Sequence, residues 1–342
     1  MHTLSLQGET MKRLSAIAAG MAVAAIALTG CGAGSPSAAT SGTASSAAGS
    51  SAAGLEEVTV GLLPIAPSVA VEYGVKEGIF EKHGLKVTVQ SANAGAAMLP
   101  AVSTGDIDFG VGNPLSVMTA ADKGLDMRIV TGYSNSKATG DDINGVVTKK
   151  DSGINSFKDL AGKTTSVNAL KTQGDLTIME STALDGGDAN ALKFSEMPFQ
   201  DMEAQLSRGN VDAVWLPEPF LSRALADTNN KLVGYPNQTA VAGLPTMVTF
   251  TSGKMATEQP ATVKKFQEAM TEVLKEAEGD QTGAKALLPE FMKMDAKVAS
   301  GLKMETWDAT FPEEQLKKLG DLAAKYKFIS QAPDLSKLKA IQ

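Results

Sequence analysis

The side chains that most often perform catalysis are scarce in this chain. Its 342 residues include two histidines, His2 and His83, and one cysteine, Cys31. Cys–His or Ser–His nucleophile pairs and His/Cys metal sites therefore lack the residues that they need. The sequence also contains no G-x-S-x-G, G-x-x-x-x-G-K or G-x-G-x-x-G motif. We therefore expect a binding protein that is not an enzyme and that uses no metal and no cofactor.

One pattern that could bind a ligand occurs twice: Gly-x-x-Asp, an apolar run and then a proline. Residues 105–114 read GDIDFGVGNP, and residues 209–219 read GNVDAVWLPEP. Each copy follows a predicted helix and contains a predicted buried strand, so each strand leads into a polar loop at its C-terminal end. Open α/β sheets bind ligands outside those strand ends. Two such lobes facing each other would bring both loops into one cleft.

The elements that would position these loops are predicted from apolar periodicity. Strands alternate with helices in both halves of the chain, which favours an α/β fold with parallel sheets, and the region after residue 250 is largely helical. Residues 55–342 are enough for two cores of ordinary domain size. The predicted strands are 58–63, 85–90, 107–112 and 127–131 in the first half, and 164–167, 192–195 and 211–216 in the second.

The N-terminus has the features of an export signal. A basic pair at residues 12–13 is followed by an apolar run that is too short for a comfortable membrane span. The run ends in Leu-Thr-Gly-Cys, which resembles the lipobox of bacterial lipoproteins and implies cleavage before Cys31 and diacylation of its thiol. Residues 1–30 are thus predicted to be a lipoprotein signal peptide, and both Met1 and Met11 are candidate starts.

The segment after Cys31 predicts a tether. Residues 32–54 contain only Gly, Ala, Ser, Thr and Pro, a composition typical of a flexible coil. We therefore expect residues 31–54 to link a lipid anchor, on the outer face of the cell membrane, to an extracytoplasmic body. The formal net charge of −7 argues against a nucleic-acid partner.

Several stretches together resemble a known family. They are GLLP (61–64), VAVEYGVKEGIFEKHGLKVTV (69–89), TGDIDFGVGNP (104–114), INSFKDLAGKTTSV (154–167) and GNVDAVWLPEPF (209–220). They are similar to the substrate-binding proteins of ABC importers, in the branch that serves nitrate, sulfonates such as taurine, bicarbonate and thiamine-pyrimidine precursors. The resemblance covers residues 55–335, and a lipid anchor also fits it.

This resemblance implies a type II periplasmic-binding-protein fold of two α/β lobes. Lobe 1 would comprise residues 55–147 and 249–342, and lobe 2 residues 148–248. A two-segment hinge is expected near Val146–Thr148 and Thr246–Phe250. The protein, a monomer, would close over a small solute and deliver it to an ABC permease with its cytoplasmic ATPase.

The same resemblance supplies candidate ligand contacts on the loops that would face the cleft. Loops before helix N-termini suit an anion because their backbone N–H groups are free to donate, and a tryptophan in the second copy of the pattern could stack on the solute. The candidates are Pro64, Ile65, Ala66, Ser68, Gly95, Ala96, Asn113, Lys171, Thr172, Gln173, Gly174, Trp215 and Glu218.

Four of these candidates have a structural alternative. Asn113 could shape the turn before a proline, Lys171 could be a solvated surface charge, and Trp215 could belong to the core. Glu218 could favour the positive end of the helix that follows it.

The solute class depends on which charged residue faces the cleft. Lys171 there would favour an organic sulfonate or carboxylate, our first expectation. Glu218 would favour an amino group, as in a taurine-like amino-sulfonate, our second. A neutral pyrimidine or other heteroaromatic ranks third, since no CCCFC-like run of the thiamine-precursor members is present. A sensory ligand-binding lipoprotein and an enzyme on the same fold are the rival classes; the enzyme would need a cleft lysine and usually a histidine.

Overall fold

Two β-sheets, of six and five strands, organise residues 54–341, the part of the chain that the computed structural model describes. The predicted signal peptide, the lipidated Cys31 and the tether up to residue 53 lie outside the described residues. None of the described helices is both long enough and apolar enough to cross a membrane.

The strands are numbered along the chain. They are β1 (Glu56–Leu62), β2 (Leu85–Ser91), β3 (Phe109–Gly112), β4 (Met127–Asn135), β5 (Asn144–Lys149), β6 (Thr164–Val167), β7 (Lys193–Glu196), β8 (Ala213–Pro217), β9 (Asn230–Gly234), β10 (Pro245–Ser252) and β11 (Thr306–Trp307).

Within residues 54–341, fifteen α-helices connect and cover the strands, together with short 3-10 turns. They are α1 (Val69–Lys76), α2 (Ile79–Lys82), α3 (Gly95–Thr104), α4 (Pro114–Asp122), α5 (Gln173–Leu184), α6 (Phe199–Arg208), α7 (Phe220–Ala226), α8 (Pro236–Ala240), α9 (Gly253–Glu258), α10 (Pro260–Gly279), α11 (Gln281–Lys285), α12 (Leu288–Met292), α13 (Ala296–Gly301), α14 (Glu313–Lys325) and α15 (Leu335–Leu338).

Both sheets are mixed, whereas the sequence predicted parallel ones. The first has the order β11-β4-β10-β3-β1-β2 and the second β7-β6-β8-β5-β9. The strands that the repeated pattern predicted are parallel, but β10 pairs antiparallel with β3 and β4, and β5 pairs antiparallel with β8 and β9. The predicted α/β class is confirmed. The antiparallel strands β5 and β10 are the first strands after the chain passes from one sheet to the other.

The repeated Gly-x-x-Asp pattern has the same structural role in both sheets. Asp108 accepts a hydrogen bond from the backbone N–H of Thr59 at 2.7 Å, and Asp212 accepts one from Thr164 at 2.8 Å. The preceding Gly105 and Gly209 cap their helices with φ of 87° and 75°, a conformation that favours glycine. Each aspartate thus ties the start of its own strand to the neighbouring parallel strand.

The chain crosses between the sheets twice, at residues 136–143 and 235–244. The hinge was predicted a few residues later, near Val146–Thr148 and Thr246–Phe250, but both of those segments lie inside strands. Their apolar and β-branched residues are buried in the sheets, which is why they do not form the connections. The two-lobe division of the chain remains a prediction. If each lobe is defined by its sheet, the boundaries between the lobes lie closer to the N-terminus than predicted.

Candidate functional site

A cavity of about 50 Å³ lies where loops from both sheets meet. The first sheet and its loops supply one wall, and the second sheet, α5 and α6 supply the other. The two crossing connections and the strands that follow them close one side. Its lining residues are Leu63, Ile65, Pro67, Gly112, Asn113, Ile143, Asn144, Asn168, Thr172, Gln173, Gly174, Phe199, Trp215, Pro217, Asn237, Thr246, Met247 and Glu305.

The first loop after β1 is held in place by two aromatic donors. The hydroxyl of Tyr133 donates to the carbonyl of Pro67 at 3.0 Å, and the indole N–H of Trp307 donates to the same carbonyl at 2.9 Å. Both aromatic side chains are almost fully buried, so the loop rests on a rigid base. This base positions Ile65 and Pro67 at the cavity.

Asn113 combines a structural role with a place on the cavity wall. Its side-chain oxygen caps α4 by accepting from the backbone N–H of Ser116 at 2.9 Å and from the Ser116 hydroxyl at 3.1 Å. The predicted turn-shaping role is therefore real. Because the oxygen is used by the cap, the amide NH2 is the part of this side chain available to a solute.

The N-terminus of α5 forms the opposite wall. Asp175 accepts backbone N–H groups from Lys171 at 2.7 Å and from Thr172 at 2.8 Å, and burial raises the pKa of Asp175 to about 6. Gly174 allows close packing, since a Cβ there would lie 2.8 Å from the Trp215 ring. The ring of Trp215 is thereby fixed against the start of the helix.

Glu305 is the carboxyl group of the cavity, and it is 1% exposed. It accepts from the amide of Asn144 at 2.8 Å and from the hydroxyl of Thr246 at 2.6 Å. Burial raises the pKa of Glu305 to about 7, and the nearby charge of Asp142 acts in the same direction. The hydrogen bonds to Glu305 offset only part of the free-energy cost of burying its ionised carboxyl.

Three further buried polar atoms of the lining residues have no hydrogen-bond partner among the described residues. They are the side-chain oxygen of Gln173, the indole N–H of Trp215 and the amide nitrogen of Asn237. Buried polar groups are nearly always paired in native proteins. A cavity with unpaired donors and an unpaired acceptor is suited to a polar solute that pairs with them.

Six of the predicted contacts line this cavity: Ile65, Asn113, Thr172, Gln173, Gly174 and Trp215. The two charged candidates do not. Lys171 is exposed, and its ammonium lies 4.8 Å from the centre of the Phe328 ring. Glu218 is buried but turns back onto the start of α7, where it accepts from the hydroxyl and the backbone N–H of Ser222.

The other five candidates lie outside the lining for reasons of packing. Ala66 and Ser68 are fully buried beneath the first loop, and Gly95 packs against the backbone of Gly112, which leaves no room for a Cβ. Pro64 and Ala96 are partly exposed. Ligand contact by any of the candidates remains a prediction.

Sequence reasoning missed the polar side chains that come from the crossings and from the C-terminal half. Asn144 is the first residue of β5 and Thr246 the second residue of β10, directly after the crossings, and recognition of those antiparallel strands would have pointed to them. Asn237 lies in α8, within the second crossing. For Glu305 the sequence offered no signal, because it lies in an irregular segment far along the chain from its partners.

Comparison with known proteins identifies the family and the fold. The sequence model of the family described as NMT1/THI5 like matches residues 69–284. No curated protein matches the chain significantly. Many solved structures are similar to this chain, among them the following three. The alkanesulfonate-binding protein SsuA from Xanthomonas axonopodis pv. citri, bound to MOPS, is 16% identical with a TM-score of 0.70, covering 84% of this chain and 99% of its own.

The second is a ligand-binding component of an ABC-type import system from Staphylococcus aureus, solved with zinc bound, at 15% identity and a TM-score of 0.69. It covers 83% of this chain and 96% of its own. The third is a Candida albicans protein described as having the generic periplasmic binding protein structural fold, at 15% identity, a TM-score of 0.67 and coverages of 84% and 95%. Identities this low show the shared fold alone. The chain belongs to the NMT1/THI5-like family, and its fold is the predicted periplasmic-binding-protein fold.

Proposed function

We propose that the chain is the solute-binding component of an ABC-type importer. It takes a small solute into the cavity between its sheets and delivers it to a permease with its cytoplasmic ATPase. The observation that supports this most is the convergence of loops from both sheets on one buried cavity with unpaired polar groups. A solute there contacts both halves at once, so it favours the closed arrangement over an open one.

The proposal requires binding without catalysis. The groups around the cavity are amides, an indole, a threonine hydroxyl and one carboxyl, which suit recognition by hydrogen bonds. The Staphylococcus aureus protein with the same fold is itself a ligand-binding component of an importer.

We further propose that the protein acts as a monomeric lipoprotein. Its signal peptide would be removed before Cys31, and the lipidated cysteine and tether would hold the two lobes at the outer face of the membrane. A sensory role for the same cavity is the alternative. Genes for a permease and an ATPase found beside this one would support transport, and their absence would support the sensory role.

The cavity alters the order of the expected solutes. A sulfonate or carboxylate ranked first because Lys171 was expected to face the cleft, but its ammonium lies over Phe328. The xanthomonad relative with this fold is an alkanesulfonate-binding protein, which keeps organic anions among the candidates. The lining of this chain favours the second and third expectations, an amino-sulfonate or a neutral heteroaromatic.

A thermal-shift screen of the unit Ser51–Gln342 tests the proposal. The panel holds alkanesulfonates, taurine, nitrate, bicarbonate, aromatic carboxylates, amines and pyrimidines. A solute at 100 times its dissociation constant stabilises the folded state by about 2.7 kcal/mol. The shift should vanish in Trp215→Ala and weaken in Asn113→Ala, and it should persist in Asn229→Ala, an exposed asparagine that does not line the cavity. No shift from any solute would contradict the proposal.

A further inference from the structure

The charge of the cavity is set by one residue. Among the described residues that line it, Glu305 is the only one with an ionisable side chain, and no lysine, arginine or histidine lies with it. The nearest candidate cation from the sequence, Lys171, is engaged with Phe328 at the surface. A bound anion would therefore meet a carboxyl group and no side-chain cation to offset its charge.

Glu305 also has unused capacity to accept hydrogen bonds. A carboxylate offers about four acceptor positions. Asn144 donates to one of its oxygens and Thr246 to the other, and the Ser134 side chain is a third partner, which leaves about one of those positions free. Because the group is 1% exposed, bulk water does not reach it.

The neighbouring carboxyl, Asp142, accepts its hydrogen bonds from residues other than Glu305 and donates none to Glu305. Asp142 accepts from the hydroxyl of Ser136 and from the backbone N–H of Ile143. Its charge disfavours ionisation of Glu305, and burial of Glu305 does the same more strongly. A donor or a positive charge brought into the cavity relieves both effects.

We propose, on the basis of the binding function above, that the solute is a small amine or amidine whose N–H groups donate to Glu305. The unpaired indole of Trp215 and amide of Asn237 then donate to an acceptor elsewhere on the solute, and the free oxygen of Gln173 accepts from a second N–H group. The 50 Å³ volume holds about four water-sized groups, so a compact solute fits.

Calorimetric titration at about pH 8 tests this with pairs of equal shape and opposite charge. The pairs are acetamidine with acetate and formamidine with formate, which are small enough for the 50 Å³ cavity, and an anion arm adds nitrate and bicarbonate. We expect an amidine to bind and its matched carboxylate not to bind. Glu305→Gln should weaken amidine binding by about tenfold to a hundredfold, the range for a hydrogen bond to a charged group.

Glu72→Gln is the matched control, since Glu72 is a partly buried carboxyl outside the cavity lining, and it should leave the affinity unchanged. Amidine binding that survives Glu305→Gln overturns the assignment. Binding of anions alone overturns the solute class while leaving the receptor function intact. If no probe binds in either arm and the wider thermal-shift panel also gives no shift, the receptor function fails as well.

Discussion

Replacing Glu305 with glutamine should remove one titration from the pH dependence of folding. The folded protein raises the pKa of this carboxyl from 4.5 to about 7, chiefly through burial. One pKa unit corresponds to about 1.4 kcal/mol, so this difference amounts to about 3 kcal/mol. Since the folded-state pKa is the higher one, this contribution to stability is full below about pH 4.5 and is lost as the pH rises through 7.

Urea unfolding of the unit Ser51–Gln342 at about pH 5 and about pH 8.5 measures how much of this stabilisation is lost as the pH rises. Asp175, whose pKa burial also raises, titrates in both proteins, and Asp142 titrates together with Glu305, so the difference between the two proteins reports Glu305 with its coupling to Asp142. Between these two pH values the wild-type free energy of unfolding should fall by about 2.5 kcal/mol more than that of Glu305→Gln. Equal pH dependence in the two proteins would refute the reasoning, because it would mean that the carboxyl titrates alike when folded and unfolded.

Three further substitutions test how the walls of the cavity are built. In Gly174→Ala the new Cβ lies 2.8 Å from the Trp215 ring, so urea unfolding should show a loss of about 1–3 kcal/mol and calorimetry weaker solute binding. Asp175→Ala removes the acceptor of two backbone N–H groups at the start of α5 and should cost about 0.5–2 kcal/mol in the same unfolding assay. Glu180→Ala removes the hydrogen bond that Tyr326, after α14, donates across the two halves at 2.6 Å, so small-angle scattering should show a larger radius of gyration.

Matched variants separate these effects from general damage. Gly279→Ala places a Cβ with no atom within 4 Å and should unfold like the wild type, in contrast to Gly174→Ala. Glu203→Ala breaks a surface ion pair with Arg223 that stays within one half, so its scattering should not change. Equal stability of the two glycine variants, or equal scattering of the two glutamate variants, would contradict the packing described above.

The local pattern of the sequence was enough to predict the parallel strands, the helices between them and the two loops that meet. Gly105, Gly209, Asp108 and Asp212 act within a few residues of their own strands, so their roles follow from short-range geometry. The antiparallel strands were missed because their pairing joins residues far apart in the chain, which apolar periodicity does not reveal.

The orientation of the charged candidates also depended on distant residues. Lys171 lies over Phe328, and no local pattern indicates that these two residues are close. Glu218 accepts a hydrogen bond from the helix that follows it instead of facing the cavity. Glu305 reaches the cavity from a segment without periodicity, and its partners Asn144 and Thr246 come from the two crossings. The solute ranking changed because these long-range contacts, rather than the residue types, decide the charge of the cavity.

A crystal structure of the protein with the solute that stabilises it most would test the central claim directly. We predict the solute between the two sheets, in contact with Trp215 and Asn113, with an N–H group within hydrogen-bond distance of Glu305. A solute bound elsewhere, such as in the 380 Å³ groove beside Arg128 and Pro333, with the cavity between the sheets unchanged, would contradict the account.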